Sequence, residues 1–434
     1  MKKLLSLLLL LTFALPTYAM QRPQFNIVDS TIQLSGTRYY TYDAGGALTS
    51  NASESLVTNP VGAATKISGL IFRVSITPPA ATSANITLMK NGVETALKCT
   101  INPGSTSCTD VSVVDTVTFN PGDTASWESN AVGTLTTGTM MYVSTIQTGV
   151  NANEASYSGG DAAASATVEQ FNPLFGSTWT TPEGPNQCVM PTAGTIDQFY
   201  VLDATGQPGT GKSYTLTMMQ NGASTTLSAA ISGTNTTGSD LAHSLTIAVG
   251  DRLSIASVPS GTPGSHRLAW GFRWKPTTDG EAFYCNMTTT NPTTGGNRNH
   301  SPYAGILNVT TAVGDADVPI AFTQKKMYGY VQTVPGGTAT WTLTTRKNAS
   351  NTAISAVIAS ASNSGNDTTH SVSYALNDTL GDVTQPLNSP ALPAGFAMSW
   401  VSFIPPPTAA ILSPSKFRIF GGKLVIKGGK IIFQ

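Results

Sequence analysis

Charge is scarce in this sequence. Asp, Glu, Lys and Arg supply 11% of its 434 residues, against roughly 25% in an average soluble protein. Hydrophobic residues still supply 40%, so a core can be built and a charge-rich disordered chain is excluded. Lys and Arg form no cluster ahead of the last nineteen residues, which argues against nucleic acid as a partner. There are four cysteines and four histidines, none spaced as a zinc site requires, so no metal and no cofactor is expected. The sequence has neither a G-x-S-x-G elbow nor an H-E-x-x-H helix, and the histidines (His243, His266, His300, His370) read as solvated loop residues with no shared repeat position. Seven glutamates (Glu54, Glu94, Glu128, Glu154, Glu169, Glu183, Glu281) give no way to pick out the facing carboxylates of a glycosidase. A non-catalytic protein is the expectation.

What is present is turn chemistry and short apolar alternation. Forty-one glycines and 26 prolines lie without a Gly-X-Y period, as expected of many short strands joined by turns. Residues 1–19 place Lys2 and Lys3 before LLSLLLLLTFALP and the triplet Thr17-Tyr18-Ala19. This is the pattern of a secretory signal cleaved after Ala19. No later stretch is long and apolar enough to cross a membrane as a helix, so the mature chain is expected outside the cell or on its surface, where disulfides persist.

Three copies of one unit follow. ITLMKNGVETALKCTI (86–101), YTLTMMQNGASTTLSAAI (214–231) and WTLTTRKNASNTAISAVI (341–358) each read as strand, turn and strand, with turn residues Asn91, Asn221 and Asn348 spaced by 130 and 127. Asp123, Asp251 and Asp378 recur at 128 and 127, and each unit closes on an aromatic-rich strand. Asn-Gly between alternating strands signals a type I′ hairpin. Asn348-Ala349 departs from it, and because alanine resists positive φ another turn type or a longer turn is expected there.

Repeats of this length with period-two strands predict an all-β chain of three tandem β-sandwiches, jelly-roll-like or immunoglobulin-like. The expected layout is a signal at 1–19, units at 20–148, 149–276 and 277–404, a proline-rich linker at 405–415, and a basic, apolar three-stranded meander at 416–434. Cys99 is expected to pair with Cys108 across a Pro-Gly loop, and Cys188 with Cys285 to tie the second unit to the third.

Several motifs invite chemistry. GQPGTGKS at 206–213 fits the phosphate-loop pattern, but a strand-like segment follows where that loop needs a helix, so a plain hairpin loop is expected. The repeated aspartates read as turn formers, whereas the pair Asp315 and Asp317 leaves a calcium reading open. Trp270, Phe272 and Trp274 alternate on one strand and read as core. Trp179, within GSTWTTPEGP, is the best candidate for an exposed ring that stacks on a sugar.

The tail KFRIFGGKLVIKGGKIIFQ has Gly-Gly turns at 421–422 and 428–429. Its expected register gathers Phe417, Ile419, Leu424, Ile426, Ile431 and Phe433 on one face and Lys416, Arg418, Lys423, Lys427 and Lys430 on the other. A sheet this small cannot order itself alone, and so it needs a surface to lie on. The functional expectation is a secreted or surface-exposed structural or adhesive stalk whose tail attaches it to itself or to a surface component. A glycan-binding module, a virion or appendage component and a glycoside-active enzyme are the alternatives.

Overall fold

The computed structural model describes residues 19–28, 36–43, 51–136, 141–151, 153–176, 178–288, 296–300, 302, 307–308, 315–393, 395–406, 424–427 and 430–433. Among them strands dominate and no α-helix occurs. Repeat 1 comprises β1 (Gln21–Val28), β2 (Gly36–Thr41), β3 (Asn59–Pro60), β4 (Thr65–Val74), β5 (Ser83–Lys90), β6 (Val93–Ile101), β7 (Ser107–Asp110), β8 (Val117–Phe119), β9 (Thr124–Val132) and β10 (Met141–Gly149). Repeat 2 comprises β11 (Ala155–Ala163), β12 (Gln170–Asn172), β13 (Cys188–Val189), β14 (Gly194–Asp203), β15 (Gly209–Gln220), β16 (Ala223–Gly233), β17 (Thr237–Ile247), β18 (Arg252–Ser260) and β19 (Arg267–Pro276). Repeat 3 comprises β20 (Glu281–Thr288), β21 (Arg298–His300), β22 (Leu307–Asn308), β23 (Ala316–Asp317), β24 (Phe322–Val331), β25 (Thr340–Lys347), β26 (Ser350–Ile358), β27 (Ser364–Tyr374), β28 (Thr379–Leu387) and β29 (Phe396–Phe403).

Each repeat is a pair of antiparallel sheets with the same connectivity. In repeat 1 the sheets run β1-β10-β4-β7 and β2-β9-β5-β6. The pairs β1·β10, β2·β9, β4·β7 and β5·β6 are those of one long folded hairpin, and rolling that hairpin brings β10 beside β4 and β9 beside β5. The corresponding orders are β11-β19-β14-β17 with β12-β18-β15-β16, and β20-β29-β24-β27 with β21-β28-β25-β26. This is the jelly-roll arrangement, and it decides between the two sandwich types left open by the sequence.

Alternation of apolar residues fills the space between the sheets. Ile67, Phe72, Ile86, Leu88 and Trp127 are fully buried in repeat 1, as are Met327, Trp341, Leu343, Ile354 and Met398 in repeat 3. Burial of such side chains contributes about 1.5–3 kcal/mol each. The Cys99–Cys108 disulfide forms, but it joins β6 of one sheet to β7 of the other rather than two neighbours in one sheet.

The repeat landmarks turn out to be partners. The Nδ2 of Asn91, Asn221 and Asn348 donates to Oδ1 of Asp123, Asp251 and Asp378 at 2.9, 2.8 and 2.8 Å. Each asparagine Oδ1 accepts the backbone N–H of the residue after that aspartate, at 2.7–2.9 Å. Thus the β5–β6 turn is clasped to the start of β9, and likewise in the other repeats. The Asn348-Ala349 turn is of the same kind, contrary to expectation: its φ angles of 49° and 64° match the 51° and 79° of Asn91-Gly92. The clasp and the flanking ladder hold Ala349 in a region it resists.

Residues 19–405 form one compact body. The tail strands β30 (Leu424–Lys427) and β31 (Lys430–Phe433) belong to a separate unit. They pair antiparallel with Ile426 opposite Ile431 and Lys427 opposite Lys430, as the second Gly-Gly turn implies. Phe417, Ile419, Lys416, Arg418, Lys423 and the first Gly-Gly turn lie outside the described residues, as do residues 1–18.

Candidate functional site

The three repeats meet through one element used three times. The short strands β3, β13 and β23 occupy equivalent places, pairing with β9, β18 and β28. Each lies against the next repeat: β3 on β11, β14 and β19, β13 on β20, β24 and β29, and β23 on β1 and β10. Repeat 1 therefore docks on repeat 2, repeat 2 on repeat 3, and repeat 3 back on repeat 1. A stalk of repeats strung end to end has no such third contact.

The three junctions share a geometry and differ in chemistry. At the first, the buried Asn59 Nδ2 donates to the carbonyls of Gly159 and Gly160 at 3.0 and 3.3 Å, while Gly62 N–H donates to Ser156 Oγ at 2.9 Å. The backbones approach so closely that a Cβ on Gly271 would sit 2.0 Å from the Pro60 carbonyl oxygen. The second junction is covalent, through the Cys188–Cys285 disulfide between β13 and β20, and Ser399 Oγ donates to the Val189 carbonyl. At the third, Arg73 reaches Asp317 Oδ2 at 2.7 Å and the Asp315 carbonyl at 2.5 Å while lying 3.9 Å over the Tyr142 ring.

A second, buried ring of contacts joins the same three repeats. Arg22 Nη2 donates to the Ser156 carbonyl at 2.8 Å, Tyr157 Oη to the Phe283 carbonyl at 2.9 Å, and Tyr284 Oη to the Pro23 carbonyl. Each donor reaches the following repeat, so the set closes on itself. The donors of repeats 2 and 3 are tyrosines at matching places in β11 and β20, whereas repeat 1 uses an arginine two residues before the matching Gln24, 1% exposed and paired with the fully buried Asp43 at 2.9 Å. Arg22 also stands 4.1 Å over the Tyr157 ring. Burial pushes the hydroxyl of Tyr157 well above its usual range, so it serves as a neutral hydrogen-bonding group.

The remaining candidate residues fall as follows. Trp179 is not an exposed stacking ring: it is 6% exposed, its Nε1 donates to the Ala162 carbonyl at 3.1 Å, and its edge meets Trp270 at 5.5 Å. The polar residues around it in sequence concealed that contact. Trp270, Phe272 and Trp274 are fully buried. Residues 209–213 of the phosphate-loop match already run in β15, which continues as strand to Gln220. Asp317 and Asp315 are taken by Arg73 and Arg346 rather than presented to a cation, and among the described residues no group of His, Cys, Asp and Glu could hold a metal ion.

The histidines are not plain loop residues. His300 is fully buried, stacks on Phe396 at 5.7 Å and meets Thr384 Oγ1 at 2.7 Å. Burial, with the Arg298 charge, pushes its pKa down to about 3. His243 and His370 do share a repeat position, 127 residues apart, each with Nδ1 2.9 Å from the aspartate three residues earlier. Those aspartates, Asp240 and Asp367, and Asp110 of repeat 1 accept the backbone N–H of Ser228, Ser355 and Lys98. Burial opposes ionisation of Asp367, but the amides of Ser355, His370 and Thr369 outweigh it and hold the carboxyl at about 2.

One core position breaks the repeat pattern. Four residues after the clasp aspartate stand Trp127, Ile255 and Asp382, all fully buried. Among the described residues, neither carboxyl oxygen of Asp382 has a hydrogen-bond partner. Burial, with the nearby Asp315, pushes that carboxyl well above the usual range against the pull of Arg346.

Two open clefts lie at the junctions, of about 490 Å³ between repeats 1 and 2 and about 360 Å³ between repeats 2 and 3. No protein-family model matches the chain, and no curated protein matches it.

Proposed function

We propose that this chain is a non-catalytic, exported structural or adhesive protein, in which three jelly-roll repeats form a self-closed head and the C-terminal tail is the attachment or assembly element. The observation that carries the reading is the cyclic use of β3, β13 and β23, each docked on the next repeat. Ion pairs within each repeat occupy ionisable groups that chemistry would otherwise use. Asp43 pairs with Arg22, Glu154 and Asp197 with Arg273, and Glu281 with Lys325 and Lys326. Two disulfides suit an oxidising compartment, and no helix among the described residues is long and apolar enough to cross a membrane. Export and surface exposure complete the reading. The tail concentrates five of the chain's 23 basic residues and alternates them with apolar ones.

Removal of residues 416–434 tests the tail's role. The truncated chain is expected to be exported and to melt as the full chain does, while losing surface retention or self-association. Unchanged retention and oligomeric state in the truncated chain would overturn the assignment.

A further inference from the structure

The cleft between repeats 2 and 3 is lined by Val189, Gly250 and Arg252 from one side and by Tyr328, Tyr330 and the segment Asn363–Asn366 from the other. Arg252 Nη1 donates to Tyr330 Oη at 3.1 Å, and its guanidinium stands 5.3 Å from the centre of that ring. These contacts aim the guanidinium without neutralising it. No described carboxylate pairs with Arg252, although the chain has as many acidic as basic residues.

The repeats supply an internal control. The same place at the first junction carries Thr124 where the second has Arg252, since both follow the clasp aspartate. Leu202 stands for Tyr330, eight residues into β14 and β24, and Thr236 for Asn363, whose carbonyls accept the N–H of Asp203 and Val331. Thr124, Leu202 and Thr236 line the first cleft. The fold therefore closes this junction with a threonine, a leucine and a threonine, and makes no demand for arginine, tyrosine and asparagine. At the third junction the arginine in the Tyr330 place, Arg73, is consumed by Asp317. Among the described residues, only the second junction combines a cation without a carboxylate partner, two phenol rings and amide side chains in a cleft.

We propose that this cleft binds an acidic saccharide, with Arg252 taking the carboxylate and Tyr328, Asn363 and Asn366 contacting the sugar. A guanidinium offers a carboxylate two parallel N–H donors, roughly twice as strong as neutral ones. Amide side chains suit hydroxyls, which both donate and accept. A volume of about 360 Å³ lies at the small end of ligand sites, which fits one or two sugar rings. The inference stands apart from the role given to the tail.

Cellobiouronic acid and cellobiose differ by one carboxylate and are the probes. Binding to the full chain, followed by NMR titration, is expected for the acid at affinities of about 1 mM and at least tenfold weaker for cellobiose. R252Q should reduce binding of the acid at least tenfold, and Y328A at least threefold, with unchanged melting profiles. N363A at the cleft's edge provides a second reading if either variant misfolds. Equal binding of the two sugars, no binding of the acid up to about 10 mM, or full binding by R252Q would each overturn the proposal. So would competition by acetate as effective as by the disaccharide acid, because the site would then recognise a carboxylate and no sugar.

Discussion

Asp382 illustrates how a single side chain departs from its repeat. Trp127 and Ile255 fill the same place in the other sandwiches and are buried as completely, so the environment is one that favours apolar groups. Burial favours the protonated form of a carboxyl placed there, while in the unfolded chain it ionises near 3.9. With the folded pKa raised, its contribution is full below the unfolded value and is lost as pH rises. Asp382→Asn keeps the shape and removes the ionisation, so it should raise the urea midpoint at pH 7 and leave it almost unchanged near pH 3.5. His300 adds a slope of the opposite sign, since its pKa is held down at about 3 and the unfolded imidazole takes up a proton from about pH 6.5 downward. That slope is common to both proteins and cancels in the comparison. An equal midpoint for Asp382→Asn and the natural chain at pH 7 would contradict a buried, neutral Asp382. Nothing in the sequence marks this position, because DTLGDVTQ is as polar as any exposed strand; only the alignment to Asp123 and Asp251 places it in the core.

At the scale of the element, turn chemistry was legible and packing partners were not. Asn91, Asn221 and Asn348 and the three aspartates could be aligned from spacing alone, since a hairpin turn is specified by two residues. That these two landmarks bond to each other required the fold. The Asn348-Ala349 turn was misread for an instructive reason: alanine's resistance to positive φ is local, whereas the Asn348–Asp378 clasp that overrides it spans 30 residues. Ala349→Gly should relieve this strain, at about 1 kcal/mol, and raise the melting temperature. Arg346 Nη2 reaches Ala349 through its carbonyl oxygen at 2.8 Å, which glycine retains. A lower melting temperature would show that Ala349 is not strained. Trp179 erred the other way, as a tryptophan surrounded by Thr, Ser, Gly and Pro looks exposed until its ring is found against Trp270.

For the whole molecule, the repeats were visible in the sequence and their closure was not. Period and turns report what each unit does alone. The contact of repeat 3 with repeat 1 rests on Arg73 and Asp317, separated by 244 residues, and no spacing announces it. The second ring of contacts rests equally on scattered residues: an arginine in one repeat stands beside tyrosines in the other two. Arg22→Ala should strongly destabilise the body. It leaves Asp43 buried beside a gap, a loss of about 3–5 kcal/mol for a broken buried pair, readable as a shift of the urea midpoint. A midpoint within experimental error of the natural chain would mean that the Arg22–Asp43 pair does not hold the centre together.

The closed head is the central claim, and small-angle scattering from residues 19–405 measures it most directly. A compact body of that length has a radius of gyration of about 21 Å, and a closed arrangement of three repeats predicts a value close to it. A rod-like profile with a radius of gyration above about 30 Å, well outside the compact range for this length, would contradict the account.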